Sequence, residues 1–307
     1  MTTERKIGIC ISLASLRNPG NAGIGDMGDL CPLVDLADAL GIGKIYLQRV
    51  VDTGFKMPDG SLAGDGWQRP LRPTMLDLRS FSGGFNRIKS AEYSAKAAEL
   101  DSMPEVDYAK VRNAKIHFMR EQYLHDGAST LGSEAYHTFW KNNRSWLEPY
   151  SVYCTLRHKY GTGDSRFWSE PDYRLLLEDP SFIREYSDDI RFHLYLQFLT
   201  HSQMQQALEY ADGKGIIIEA ADDRECPSLS RNEDGILEGW VVEELIKARI
   251  QQTPETATPV FPLSDFLDIT TLGREAFPQT GIFTRMGMTL EAILRHKALL
   301  GQIRRIL

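Results

Sequence analysis

Apolar residues recur along the chain at two periods, and the period changes where Gly, Pro and Asn cluster. Gly8-Ile-Cys-Ile-Ser reads as a buried strand, and a loop rich in Pro, Gly and Asn follows it. Asp29 then opens an amphipathic stretch over residues 30–40 that predicts a helix. Lys44-Ile-Tyr-Leu is a second short apolar strand, so residues 8–47 predict a βαβ start. From about residue 106 to 198 the pattern is helical and rich in aromatics. Gly215-Ile-Ile-Ile-Glu returns to a buried parallel strand that ends in acids, and residues 237–250 read as a helix. A last amphipathic stretch over residues 290–307 places Leu290, Ile293, Leu294, Leu299, Leu300 and Ile303 on one side. Strands alternating with helices predict an α/β fold with a parallel sheet, whose ligand loops lie at the carboxyl ends of the strands.

Composition narrows the classes. The 307 residues are 42% hydrophobic and 25% charged, which suits a globular chain of one or two domains. A net charge of −7 argues against a nucleic-acid partner, which normally demands a basic face, and is compatible with a neutral, sugar-like substrate. Cys10, Cys31, Cys154 and Cys226 lie far apart without zinc-site spacing, as expected for a reducing cytoplasm. Met1-Thr-Thr-Glu-Arg-Lys before an apolar run imitates a secretory signal, but Arg17 and a Gly/Asn loop follow where a cleavage site would stand. No stretch approaches the length of a membrane span.

Two chemistries compete for the first loop. Gly23-Ile-Gly-Asp-Met-Gly28 is literally G-x-G-x-x-G, and Arg49 stands about twenty residues on, where a 2′-phosphate would be met. Against a dinucleotide, some ten residues separate the strand from the motif where that fold needs a tight turn. Asp26 would also bring negative charge to the pyrophosphate.

The second reading is a resemblance. Ser15-Leu-Arg-Asn-Pro-Gly-Asn-Ala-Gly-Ile-Gly-Asp-Met-Gly-Asp-Leu30 resembles the N-terminal signature of the 4-α-glucanotransferases (amylomaltases, or disproportionating enzymes), glycoside hydrolase family seventy-seven. After the second strand the family has Leu-Pro and then Asp-Thr; this chain keeps Asp52-Thr53 without the Pro. Val106-Asp-Tyr, Phe139…Asn143-x-x-Trp-Leu147 and Phe167-Trp-Ser-Glu-Pro171 are similar in order and spacing to the family's helical insertion. Residues 190–203 resemble the helix leading back to the barrel, where His193 reads as a structural helix-face histidine. Val260-Phe-Pro-Leu-Ser-Asp265-Phe-Leu resembles the family's final strand, and Arg274-Glu-Ala-Phe-Pro-Gln-Thr280 the segment after it.

The resemblance implies a partial or degenerate TIM (β/α)8-type barrel with a large helical insertion. Its parts would be first strands and helices over 1–100, the insertion over 101–205, and remaining strands with a terminal helix over 206–307. It implies transfer of α-1,4-glucan segments between malto-oligosaccharides, without cofactor or metal. Asp52, Trp67, Asp222 and Asp223 are the candidate substrate-binding residues that it leaves. Asp52 as a turn-capping loop acid and Trp67 as a ring packed on its own domain are the plain alternatives.

Retention at an α-glucosidic bond needs two carboxyls about 5–5.5 Å apart. The family's middle-strand motifs that carry them, Arg-x-Asp-His, Glu-Asp-Leu-Gly and a late His-Asp, have no counterpart here. Glu238, Glu243 and Glu244 lie in or just before a helix without those flanks and read as a solvated face. The chain therefore reads as an internally shortened relative, with catalytic residues unassigned and the isolated chain inactive. A non-catalytic glucan binder, or a scaffold whose open sheet pairs with a second copy or a partner chain, is the alternative.

Overall fold

In the computed structural model, four five- or three-residue apolar runs build one parallel sheet. The structure describes residues 7–16, 18–52, 54–57, 67, 69–81, 87–169, 176, 178–221, 229, 231–232, 235–254, 256–268, 279–280, 284–285 and 290–307. The chain divides into two compact units. One comprises Met1–Val50, Ser94–Val111 and Gln205–Leu307, the other Val51–Tyr93 and Arg112–Met204.

The first unit holds the sheet. Strands β1 (Gly8–Ser12), β2 (Lys44–Gln48), β3 (Ile217–Ala221) and β4 (Val260–Pro262) stand in the order β3-β2-β1-β4, all parallel. Gly8 is flanked by Lys44 on one side and Val260 on the other, so β1 is central. A methyl on Gly8 would lie 3.0 Å from the Tyr46 ring and 3.3 Å from Val260, so the small residue keeps the neighbours close.

Helix α1 (Leu30–Leu40) forms because Leu30, Leu33, Val34, Leu36, Ala37 and Leu40 share a face that can be buried. It stops at Gly41, whose φ of +74° is the left-handed cap that glycine adopts without steric cost. The expected single terminal helix is two helices, α9 (Leu290–Arg295) and α10 (Lys297–Ile306), and both pack on α1. The break falls at His296, whose Nδ1 accepts a hydrogen bond from the Leu299 amide at 3.4 Å and so caps the second helix. Between β3 and β4 stands helix α7 (Gly239–Gln252), two residues later than the periodicity alone predicts, and α8 (Leu263–Asp268) follows β4 directly.

Helices α2 (Arg87–Asp101), α3 (Tyr108–Leu131), α4 (Glu134–Tyr160), α5 (Pro180–Glu185) and α6 (Ser187–Asp212) lie between β2 and β3. In the second unit, α3 and α6 are joined by polar pairs over aromatic contacts. Tyr123 donates to Asp188 at 2.9 Å, Tyr195 donates to Asp126 at 2.7 Å, and the Arg120 guanidinium lies 3.9 Å over the Phe192 ring. Two glutamines six residues apart on α6 hold an extended segment as a neighbouring strand would. The Gln197 amide accepts from the Leu71 N–H at 3.0 Å and donates to its carbonyl at 2.8 Å. Gln203 does the same for Asp77, at 2.9 and 3.0 Å. Buried backbone groups outside regular structure need such partners.

Candidate functional site

Three places on the described chain carry the polar groups that the sequence singled out. The first is the loop between β1 and α1. Asp29 is buried there and accepts from the Asn18 side chain at 2.5 Å, from the Asn21 side chain, and from the Asp26 amide at 2.8 Å. Asp101, at the end of α2, accepts from the Gly20 amide at 2.7 Å and the Gly23 amide at 2.6 Å. A methyl on Gly25 would lie 2.1 Å from the Leu13 carbonyl oxygen, closer than any Cβ can come. Gly23 and Gly25 of this G-x-G-x-x-G thus serve close backbone approach within the loop. The Gly20 and Gly23 amides point at a carboxylate of the chain, and buried Asp26 and Asp29 add negative charge. A phosphate has no place in such a loop. The dinucleotide reading fails here, and Arg49 adopts a left-handed backbone at φ +59°.

The second place, in the second unit, is built around Asp52. Its side chain is 12% exposed and accepts from the Tyr150 hydroxyl at 2.9 Å and from Arg157 at 2.8 Å, both on Oδ2. Its Oδ1 accepts the Gly54 amide at 3.3 Å. Its own amide donates to the Pro70 carbonyl at 2.8 Å. Tyr150, Tyr153 and Arg157 stand at i, i+3 and i+7 on α4, so one face presents all three. The Arg157 guanidinium lies 5.3 Å over the Tyr153 ring and donates to the Cys154 sulfur at 3.4 Å. Phe55 packs edge-on against Tyr150, with ring centres 5.4 Å apart.

Burial pulls the Asp52 carboxyl upward. The charge and hydrogen bond of Arg157, the Tyr150 hydroxyl and the charge of Arg72 outweigh that and leave it below the ordinary carboxylate range. Burial raises Tyr150 well above an ordinary phenol, helped by Cys154 and Asp52, so it donates. Burial pushes the Cys154 thiol up to about 12, which leaves it protonated and unreactive. Asp52 is therefore an ionised, paired acid. None of the described groups hydrogen-bonded to it is a second carboxyl.

Trp67 is half-buried and is not among the described partners of Asp52. Its backbone meets the His201 ring, which also reaches the Arg69 carbonyl at 3.0 Å and packs against Phe139 and Trp146 at 5.1 and 5.4 Å. Asp222 and Asp223 lie outside the described residues. His193 is held neutral: burial first, then the charges of Arg157, Arg120 and His158, push it down to about 3. Tyr150 and Arg157 went unnoticed as partners of Asp52 because the pairing is long-range. The one signal in the sequence was their common helical face.

The third place follows β4, where Asp265 and Asp268 on α8 are buried. Asp265 accepts the Leu229 amide at 2.7 Å, so it ties down the chain that returns from β3. On α7, Glu243 and Glu244 both pair with exposed Lys247, at 2.6 and 3.2 Å, as a solvated helix face does. No cluster of three or more His, Cys, Asp or Glu fit to hold a metal occurs among the described residues.

A parallel sheet whose last strand lies beside its first, with polar loops at the strand ends, is the architecture of a partial α/β barrel. Over residues 11–227 the chain matches the family model described as 4-alpha-glucanotransferase, and it belongs to that family. It is 27% identical over 222 residues to a 4-alpha-glucanotransferase of Chlamydia muridarum and 29% identical over 222 residues to that of Chlamydia pneumoniae. Each alignment covers 70% of this chain and 40% of the relative, so the chain spans about two fifths of the length of these relatives. Among solved structures, the amylomaltase from Streptococcus agalactiae in complex with acarbose superposes with a TM-score of 0.52. The identity is 19%, over 80% of this chain and 47% of that one, which bears on the fold alone.

Proposed function

We propose that this chain is a non-transferring member of the 4-alpha-glucanotransferase family that keeps contacts for an α-1,4-glucan without the carboxylate pair that breaks one. The observation that carries this reading is the placement of β4 directly beside β1, the position of a closing strand in a barrel. Only residues 222–259 lie between β3 and β4. Four further βα units would need well over a hundred residues at about 30 for each βαβ unit. The described part of that interval holds one long helix, α7. The absence of Arg-x-Asp-His and Glu-Asp-Leu-Gly from the sequence points the same way.

Asp52 is the substrate contact this reading favours first, with its paired Arg157. Trp67 follows as a ring that could stack on a sugar face, and Asp222 and Asp223 as acids that reach the family's acid position after a one-residue slip, Ala220-Ala221 standing at the family's Gly-Asp. A cytoplasmic setting accords with free thiols at Cys31 and Cys154. No helix among the described residues is long and apolar enough to cross a membrane.

The test is incubation of the purified chain with maltotriose, followed by chromatography of glucose and longer oligomers. The expected result is no product above the buffer control. Turnover would overturn the reading, and Asp222→Ala and Asp223→Ala would then be the first variants to assay.

A scaffold role is the second reading, favoured by one feature. Among the described residues β3 has a single strand neighbour, and Ile217 on it is exposed. An open edge with an apolar side chain invites pairing with another chain. Light scattering over a dilution series would decide: a concentration-dependent dimer supports this role, a monomer at every concentration removes it.

A further inference from the structure

A second guanidinium stands beside Asp52, and no described carboxylate pairs with it. Val51 forms an antiparallel bridge with Leu71, and the Asp52 amide donates to the Pro70 carbonyl at 2.8 Å. Side chains alternate across such a pair, so Asp52, Pro70 and Arg72 share one face, and Val51 and Leu71 take the other. The Arg72 Nε–H donates to the Val51 carbonyl at 3.1 Å, on the peptide bond that leads into Asp52. Against the pull of burial, and after Arg157 and Tyr150, the Arg72 charge helps to hold the Asp52 carboxyl below the ordinary range.

Asp52 has its oxygens engaged without Arg72. Its Oδ2 takes the Tyr150 hydroxyl and the Arg157 guanidinium, and its Oδ1 takes the Gly54 amide. Arg157 uses one amino group on Asp52 and the other on the Cys154 sulfur. Arg72 uses its Nε–H alone. Among the described residues its two amino groups have no hydrogen-bond partner, and no carboxylate lies within ion-pair reach. Two guanidinium charges thus meet one carboxylate charge, and the excess stays on Arg72.

Arg72 differs from an ordinary surface arginine in being partly buried on a fixed backbone. Leu71 before it is fully buried, and Gln197 holds both its main-chain groups, at 3.0 and 2.8 Å. Pro73 after it opens a short 3-10 turn, Pro73–Met75. With its backbone fixed and its Nε tied, the side chain has little freedom left to lose when a ligand meets it. Its two remaining amino groups form a planar fork of N–H donors that fits two oxygens of one carboxylate or phosphate. A neutral ligand covering this corner would shield the charge from water without pairing it, which is costly.

We infer that Arg72, beside the Asp52–Arg157 pair, anchors a site for a small anion bearing a carboxylate or phosphate group. A glucan is no part of this site or of its test, so the reading above and the anion site stand or fall separately. The experiment is calorimetric titration of the full chain with inorganic phosphate and, separately, with acetate, each against sodium chloride at matched ionic strength. Arg72→Gln removes the charge, and Arg72→Lys keeps the charge without the fork. Circular dichroism and thermal melting check that both variants fold.

The expected result is saturable binding of at least one of the two anions by the wild-type chain, weakened roughly tenfold in Arg72→Gln and roughly threefold in Arg72→Lys. Binding of phosphate alone, or of acetate alone, supports the site and assigns the anionic group; binding of both supports it through their shared chemistry. No saturable binding of either anion by the wild type would overturn the site. Equal affinity in wild type and Arg72→Gln would overturn it too, as would an equal response to chloride. If Arg72→Gln does not fold, Arg72→Lys decides, and affinity equal to wild type in that variant would overturn the fork.

Discussion

At Asp52, the partners of a single carboxylate tell a local turn cap apart from a long-range tether. A turn-capping acid would bond its own loop and little else; here the stronger bonds go to Tyr150 and Arg157, about a hundred residues away in sequence. Asp52→Asn leaves a partly buried guanidinium without its charge partner. The expected cost is about 1–3 kcal/mol, read as a lower midpoint in urea denaturation. The pH dependence follows from the direction of the shift. The folded-state pKa of Asp52 lies below its unfolded value, so its contribution is fully present above the ordinary carboxylate range. It is lost as pH falls through the lower folded value. The stability gap between wild type and Asp52→Asn should hold from about pH 7 to about pH 5 and close on further acidification. A gap that widened in acid would contradict the pairing.

At the scale of one element, the loop between β1 and α1 is held from within. Gly23, Gly25, Asp26 and Asp29 each have an internal reason there. Asp101→Ala removes the acceptor of two amides, those of Gly20 and Gly23, and should cost about 1–3 kcal/mol for each one left buried and unpaired. Gly25→Ala forces a methyl onto the Leu13 carbonyl and should cost at least about 3 kcal/mol, or prevent folding. Thermal melts of both variants check this, and a melting temperature of Gly25→Ala equal to wild type would refute the contact. The motif was legible as a string of residues, but two chemistries fitted the string. What separated them was where the amides point, and that depends on Asp101, more than seventy residues beyond the motif.

At the scale of the whole molecule, the sheet order governs which strands are protected on both sides. β1 and β2 each have a strand on both sides, whereas β3 and β4 have one described neighbour each. Hydrogen exchange should therefore be slowest at the amides of Ile9, Ile11, Ile45 and Leu47, and faster at Phe261 and Ile218. Equal protection across the four strands would mean that the outer two are covered by something further. The same order supports the non-transferring reading proposed above, because a strand beside β1 that comes so soon after β3 leaves little chain between the two for further strands.

The sequence by itself determined the family, the alternation of strand and helix, and the parallel strands β1, β2 and β3, because hydrophobic period and turn residues are local properties that survive without tertiary context. It also marked Asp52, through the residues next to it. It left open what Asp52 meets, why the G-x-G-x-x-G loop holds no phosphate, and why the terminal helix is two. Those answers depend on pairings between residues far apart in the chain: Asp52 with Arg157, Gly23 with Asp101, β4 with β1. No local pattern encodes such a pairing, since each partner alone has several equally good local explanations. Only packing removes all but one of them.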